Sequence, residues 1–273
     1  YGTLPTIRSC TNAWMKKPEV KEVLTGVQAR GTEDGFFYNS FIIQYGVEDK
    51  LLFSNDMFAF YKQLKSSQRP VCLVNGGIPA PTAEEISAIK RQNYSDADQL
   101  AAGVSRNIQV SASAELQRLM VKTFIDLVLE EAKTCGGTLS RLTNKAVYLL
   151  VWLKRYQKEL FSNWKMPEIS VFVLFGKCAS PNEALFLRFL ARLPVDVLVL
   201  LPNLNEGSSL HDPSLLELRF EESLPMEQFP VEPSQIRVST AAYQAERDLD
   251  SLMYQDTGLY RNQQYSRADV VTL

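Results

Sequence analysis

The apolar residues of this chain fall into short consecutive runs and helical repeats, and the first informative run is Val71–Val74. It ends at a polar and glycine turn, residues 75–77, and Thr82 and Glu85 then have the spacing of a capping box. A short continuous apolar run bounded by turn signals predicts a strand that is buried on both faces. We therefore expect a strand, a glycine turn and a helix in this order.

A second unit has the same organisation. The apolar run Ile169–Phe175 is followed by a glycine turn and by a helix start, in which Ser180 is the expected N-cap and Pro181 the first helical residue. A further apolar run, Val195–Leu201, follows this helix. A strand, a helix and a strand within about 33 residues predict a βαβ unit with parallel strands and a right-handed crossover.

The two units are also similar residue by residue. Val71, Gly76 and Pro81 recur a hundred positions later as a valine, a glycine and a proline. The capping residues Thr82 and Ser180 are out of step by two positions. This mismatch favours general β-to-α architecture over an internal duplication, although a duplication remains the alternative.

Helical periodicity predicts two long helices between these units, at 114–133 and 139–161, and we expect them to form an antiparallel pair. The other predicted elements are a short helix near 12–24, a strand at 36–47, a helix at 55–65 with Asn55 as N-cap, a loop or lid at 92–113, an edge strand at 216–220, a loop at 225–234, a short strand at 236–238 and a helix at 243–254.

These elements predict an α/β protein with a Rossmann-like, mostly parallel sheet, flanking helices and a helical hairpin insertion. We expect an N-terminal α/β region with the helical pair at 1–167 and a Rossmann-like βαβ region at 168–273. The chain begins at Tyr1 without a methionine and ends in a strand-like run, so we interpret it as a fragment of a longer protein.

Composition and charge narrow the class of protein. Of the 273 residues, 45% are hydrophobic and 22% are charged, as in ordinary globular proteins, and the formal net charge is −2. This charge balance argues against non-specific nucleic-acid binding and gives no attraction to anionic membranes. The most apolar helical run, Ala146–Leu153, is far shorter than the ~18 residues of a membrane span. We expect a cytoplasmic protein with no membrane partner.

Cysteine and histidine usage limits the possible chemistry. Cys10, Cys72, Cys135 and Cys178 are far apart and form no C-x-x-C pair, which is typical of free, mostly buried thiols in a reducing compartment. His211 is the only histidine, and it lies in a polar loop that favours a surface position over a catalytic one. No metal site is predicted, and the sequence identifies neither catalytic residues nor a cofactor.

Both glycine turns are candidates for ligand binding, because open α/β sheets bind ligands at the carboxyl ends of parallel strands. Glycine permits close backbone approach, a helix N-terminus offers free amide groups, and Lys177 adds a positive charge, so the expected ligand is a small anionic metabolite or a nucleotide. In the alternative interpretation, both are ordinary connections whose amides are satisfied by their own caps.

Asp196 begins a strand at the opposite end of the sheet and is interpreted as structural. The candidate ligand-binding residues are Asn75, Gly76, Gly77, Gly176, Lys177, Ser180, Asn182, Tyr260 and Arg261.

Two of these candidates lie in the polar and aromatic C-terminal run 254–265. Arg261, flanked by Tyr260 and Tyr265, has the chemistry to hold a base or a phosphate. The alternative, which we favour, is a helix end held by Gly258, with the tyrosines filling a crevice.

Several motifs resemble the YceG-like family of bacterial proteins that are encoded beside tellurium-resistance and stress genes, which is distinct from the murein lytic transglycosylases of the same name. They are GFFYN at 35–39, NGGIP at 75–79, GKCASPNEAL at 176–185, AERDLD at 245–250 and YRNQ at 260–263. The resemblance covers most of the chain. It implies a component of a "biosynthetic module" that accompanies proteins processing nucleotides or related metabolites, and it defines no catalytic residues to transfer.

Two functions follow as hypotheses. The first is an enzyme-like protein that binds a phosphorylated or nucleotide-derived metabolite at the carboxyl edge of the sheet, and a transferase of glycosyltransferase-like build is one form of this hypothesis. The second is a non-catalytic scaffold for other stress-operon proteins. Ligand-induced thermal stabilisation discriminates between them, because a scaffold predicts none and predicts an exposed apolar patch instead.

Overall fold

Seven strands and seven α-helices form the regular structure of the computed structural model, which describes residues 7–110, 113–134, 136–163 and 168–231. The strands are β1 (Arg8–Thr11), β2 (Phe36–Asn39), β3 (Phe41–Tyr45), β4 (Val71–Asn75), β5 (Ser170–Phe175), β6 (Val195–Leu201) and β7 (Leu216–Arg219). The helices are α1 (Val27–Arg30), α2 (Phe53–Ser66), α3 (Ala83–Ser87), α4 (Ala97–Val104), α5 (Ala114–Thr134), α6 (Leu139–Phe161) and α7 (Pro181–Ala191), with short 3₁₀ helices at Val20–Leu24 and Ser105–Asn107.

Five strands form one sheet in the order β4-β5-β6-β3-β7, and all neighbouring pairs in it are parallel. Strand β5 pairs with β6 across the α7 crossover, which confirms the predicted parallel βαβ unit. Val71 lies opposite Val171, and Asn75 lies opposite Phe175. Residues that are 100 positions apart in the sequence are therefore paired across the neighbouring strands β4 and β5. Strands β1 and β2 form a separate two-stranded parallel sheet.

Apolar side chains cover both faces of the five-stranded sheet, because successive residues of a strand point to opposite sides. On one face, Phe41 and Phe172 pack in a core with residues of α4 to α7. On the other, Ile42 and Val173 pack in a second core with α2. The predicted α/β class, with a mostly parallel sheet and flanking helices, is confirmed.

Three predicted elements inside the N-terminal part have the wrong bounds. The expected strand 36–47 is divided at Ser40, so that β2 joins the small sheet and β3 the large one. Helix α2 begins at Phe53, and the Asp49 carboxylate accepts hydrogen bonds from the backbone just before it, at 2.9 and 3.1 Å. The predicted cap Asn55 therefore lies inside the helix. The helix expected near 12–24 is limited to the 3₁₀ helix Val20–Leu24.

The loop or lid predicted at 92–113 contains a helix instead. Asp96 is the N-cap of α4 and accepts a hydrogen bond of 2.8 Å from the backbone N–H of Gln99. Leu100 and Val104, spaced by one turn, are fully buried against the neighbouring helices. Burial of this short apolar stripe stabilises the helix, even though most of the residues around it are polar.

A buried charge network holds the amino end of the sheet. The Asp196 carboxylate receives a bidentate hydrogen bond from Arg30 at 2.8 and 2.9 Å, a further bond from Arg69, and two from Ser40 at 2.7 and 2.9 Å. Arg69 also donates to the carbonyl of Ile169 at 2.9 Å, directly before β5. Asp196 thus joins β3, β5 and β6, in agreement with its interpretation as a structural residue.

The large sheet takes β3 and β4 from the predicted region 1–167 and β5 to β7 from the region 168–273. Among the described strands, β7 lies at the end of the sheet and pairs with β3 alone, as the prediction of an edge strand requires. The strand predicted at 236–238 and the helix at 243–254 lie outside the described residues. None of the helices in the described part of the chain combines the length and the hydropathy needed to cross a bilayer.

Candidate functional site

The two predicted glycine turns lie side by side at the carboxyl edge of the sheet. Gly76 donates its backbone N–H to the carbonyl of Phe175 at 2.7 Å, and Gly176 donates to Leu200 at 2.9 Å, so each turn continues the pairing of its strand. A Cβ atom on Gly176 would lie 3.0 Å from the backbone nitrogen of Gly77 and 3.1 Å from the Cα atom of Gly76. The two backbones therefore approach more closely than a side chain at this position would comfortably allow.

Lys177 supplies the positive charge of this edge. Its side chain is exposed, and it makes no hydrogen bond or ion pair with any residue in the described ranges. Its backbone carbonyl would lie 3.4 Å from a Cβ atom on Gly77, which places it against the first turn. The amine is thus free to neutralise an anion held between the two turns.

Ser180 and Asn182 occupy the start of α7. The Ser180 hydroxyl accepts a hydrogen bond of 3.3 Å from the backbone N–H of Glu183, and Pro181 is the first helical residue, as predicted. The hydroxyl is therefore engaged as a helix cap, which matches the alternative interpretation of this turn. Asn182 is half-buried at the second helical position.

Asn75 has a partner that the sequence did not indicate. Its side-chain oxygen accepts a hydrogen bond of 2.8 Å from the backbone N–H of Phe229. The buried ring of Phe229 packs against the rings of Phe175 and Tyr61, with centroids 5.5 and 5.7 Å away. Asn75 therefore fastens a distant segment to the carboxyl edge.

Residues 220–231, here called the edge segment, follow this edge from strand to strand. Phe220 donates its N–H to the carbonyl of Tyr45, at the end of β3, and Leu224 donates to Pro202, just after β6, at 2.8 and 2.9 Å. Phe229 then reaches the end of β4. The edge segment packs in the core on the α2 side of the sheet. Beside α7, Gly76 is exposed and Gly77 and Gly176 are half-buried.

The lead-in from the first turn to α3 is held rigidly by two residues of α6. Arg155 donates to the carbonyl of Pro79 at 2.6 Å, and Trp152 donates to the same carbonyl at 3.0 Å. Arg155 also binds Glu85, which completes the predicted capping box with Thr82. The hydrogen bonds from Arg155 lower the pKa of Glu85 to about 2, so this carboxylate stays ionised and is unsuited to general acid chemistry.

Glu183 occupies the same helical position as Glu85 in the second unit but behaves differently. It is 6% exposed, and its buried Oε2 atom has no hydrogen-bond partner among the residues that the structure describes. A buried carboxylate oxygen without a partner costs free energy, and such groups are rare in folded proteins. The two capping-box spacings are identical, so they do not indicate this difference between the two glutamates.

The thiol beside Glu183 is not a nucleophile. Burial, followed by the negative charge of Glu183, raises the pKa of Cys178 to about 12. A thiol with this pKa is almost entirely protonated at neutral pH, and nucleophilic attack requires the thiolate. Cys10, Cys72 and Cys178 are free, and the last two are buried, as predicted. His211 is exposed in the loop before β7.

The arrangement of the edge suits anion binding more than bond-breaking chemistry. It combines close glycine backbones, the first turn of an eleven-residue helix and an unpaired lysine. In the described ranges, no group of three or more His, Cys, Asp and Glu side chains is placed to hold a metal ion. Tyr260 and Arg261, the remaining candidates, lie outside the described residues.

Comparison with known proteins identifies one family. A family model with the description "YceG domain" matches residues 24–254, which include all the described strands except β1. No curated protein and no solved structure matches the chain. The match therefore concerns sequence family, and it assigns no ligand to the carboxyl edge.

Proposed function

The chain belongs to the YceG domain family, and we propose that it binds a phosphorylated or nucleotide-derived metabolite at the carboxyl edge of a Rossmann-like sheet. The enzymatic form of this proposal is a transferase that holds such a metabolite as the donor of the transferred group. We further propose that it works in the cytoplasm, as a component of a stress-linked biosynthetic module with other products of tellurium-resistance or stress operons as partners. The free thiols of the described residues suit a reducing compartment.

One observation carries the ligand class. Gly76, Gly77 and Gly176 bring two turns into backbone contact beside the exposed, unpaired amine of Lys177. The backbone N–H groups of Gly76 and Gly176 are already bonded to carbonyls, so the attraction for an anion comes from the positive end of the α7 dipole and from the full charge of Lys177. Phosphate is the anion that most metabolites carry, and its oxygens accept several such donors at once.

The scaffold alternative has less support from the described surface. A scaffold is expected to expose a contiguous apolar patch to its partner. Among the described residues, the exposed large apolar side chains are Leu204, at 38% exposure, and Val231, at 40%. Two single side chains do not make a patch, so ligand binding is the better-supported proposal.

The proposal predicts that nucleotides or nucleotide sugars raise the melting temperature and that Lys177→Ala reduces this shift by half or more. A ligand present at a hundred times its Kd stabilises a protein by about 2.7 kcal/mol. Loss of a charge-assisted hydrogen bond costs about 1.5–3 kcal/mol, which is a tenfold or greater loss of affinity. A thermal-shift screen of wild type and variant with inorganic phosphate, nucleoside diphosphates and nucleotide sugars measures both effects.

Lys62→Ala is the matched control, because Lys62 is also exposed but lies on α2, which packs in the core on the other face of the sheet from α7. This variant should keep the wild-type shift with every ligand. The proposal fails if no anion stabilises the wild-type protein, or if both lysine variants lose the shift equally.

A further inference from the structure

A separate cavity of about 550 Å³ lies between residues 90–94 and the segment that comprises α4 and the following 3₁₀ helix. We call it the α4 cavity. Its wall contains three cationic side chains, Lys90, Arg91 and Arg106, and no carboxylate. The volume is within the range of small-molecule sites, about 300–1,000 Å³.

The three cations of the α4 cavity share one wall, and the described residues supply no partner for any of them. None of them forms an ion pair or a side-chain hydrogen bond with a residue in the described ranges. By contrast, Arg188 and Arg192 are bound to carboxylates at 2.9 Å. Like charges that share a small wall repel one another, and an anion between them removes this repulsion.

The backbone that carries these cations is held in place. The buried Asn107 side chain accepts the N–H of Lys90 at 2.8 Å and donates to the carbonyl of the same residue at 2.7 Å. The ring of Tyr94 lies so close to Gly103 that a Cβ atom there would be 2.3 Å from it. The backbone of the wall is therefore held before any ligand arrives, which lowers the entropic cost of binding.

A neutral side chain of the wall is also oriented as a donor. The Oε1 atom of Gln99 accepts hydrogen bonds from the backbone and the hydroxyl of Ser95, at 3.3 and 2.8 Å. Its amide NH₂ group is left to donate. Together with the ammonium and guanidinium groups, the wall presents donors to the cavity, and a ligand that satisfies them must consist mainly of acceptors.

We propose that the α4 cavity binds a multiply charged phosphate group, as found in pyrophosphate and in nucleoside polyphosphates. Arg91 and Arg106 bind phosphate oxygens in the two-pronged manner that suits guanidinium groups, and Lys90 acts as a point charge. This site is independent of the carboxyl edge, since it shares no residue with the two glycine turns.

Calorimetric titration with pyrophosphate and with ATP tests the proposal on the wild-type chain and on the double variant Arg91→Gln/Arg106→Gln. We expect the double variant to bind pyrophosphate at least tenfold more weakly, and the wild-type affinity to fall as salt rises. The control is Lys62→Gln/Lys154→Gln, which removes the same charge from two exposed lysines outside the cavity.

Each outcome bears on the proposal. If ATP binds more tightly than pyrophosphate and is equally weakened by the double variant, the ligand is a nucleotide. If the two affinities are equal, the cavity recognises the polyphosphate group alone. Absence of pyrophosphate binding, or an equal loss in the control variant, overturns the proposal. Pyrophosphate binding that survives Lys177→Ala but is lost in Arg91→Gln/Arg106→Gln belongs to the α4 cavity, and binding with the opposite pattern belongs to the carboxyl edge. The two proposals therefore fail or hold separately.

Discussion

Replacing Asp196 by alanine is expected to lower the free energy of unfolding by about 3–5 kcal/mol, the usual cost of removing one partner from a buried ion pair. The side chains of Asp196 and Arg30 are fully buried, and that of Arg69 is 7% exposed. Without the carboxylate, two guanidinium groups lose the buried counter-charge that they share. In a chain of this size the loss corresponds to a fall in melting temperature on the order of 10 °C.

The same network predicts a pH dependence. Burial alone would raise the pKa of Asp196, but the charges of Arg30 and Arg69 and the hydrogen bonds from Arg30 and Ser40 outweigh it and hold the pKa below its usual range. A carboxyl whose pKa is lower in the folded state stabilises the fold fully above its unfolded pKa of about 3.9. This contribution is lost as the pH falls through the folded value.

Chemical denaturation of wild type, Asp196→Ala and Asp196→Asn at neutral pH and near pH 3 measures both effects. The stability difference between wild type and Asp196→Asn should be largest at pH 7 and shrink in acid. Asp126→Ala is the matched control, because Asp126 forms an exposed pair with Lys122 on α5, and such pairs contribute about 0.3–0.5 kcal/mol. A loss below about 1 kcal/mol for Asp196→Ala would show that the network is not the support we infer.

The sequence predicted those parts of the fold that depend on local pattern. The apolar runs of β4, β5 and β6 and the caps at Thr82 and Ser180 were placed correctly, because burial and capping act over a few neighbouring residues. The break at Ser40 was missed, since it depends on a hydrogen bond to Asp196, 156 residues away. The sequence also did not predict that β4 lies at the edge of the sheet and that Val71 is only half-buried. Both depend on the order of the strands, which a local pattern does not specify.

The candidate site also has features that the sequence predicts and features that it does not. The meeting of Gly76 with Gly176 was foreseeable, because neighbouring parallel strands end at one edge. The bond from Phe229 to Asn75 joins residues 154 positions apart, and no local pattern signals it. The unpartnered oxygen of Glu183 also escaped prediction, because a capping-box sequence specifies the spacing of the glutamate and not the side-chain rotamer that it adopts.

Replacing Gly46 by alanine is expected to destabilise the protein by several kcal/mol and to detach the edge segment from the sheet. Gly46 follows β3 with a φ of +74°, which costs an L-residue roughly 1–2 kcal/mol. A Cβ atom there would also lie 2.6 Å from the carbonyl oxygen of Phe220 and 2.7 Å from that of Glu222. These contacts are with backbone, so no side-chain rotation relieves them.

Two other glycines serve as controls that separate the cost of the positive φ from the cost of the steric clash. Gly76 has a φ of +79° but open space around its Cβ position, so Gly76→Ala should show the conformational cost alone, about 1–2 kcal/mol. Gly207 has open space and no left-handed φ, so Gly207→Ala should be nearly neutral. Denaturation gives the three stabilities, and hydrogen exchange at Val47, whose N–H bonds the carbonyl of Glu222 at 2.9 Å, reports detachment of the edge segment. If Gly46→Ala is no more destabilising than Gly76→Ala and Val47 stays protected, the edge segment does not pack against β3 as closely as the structure indicates.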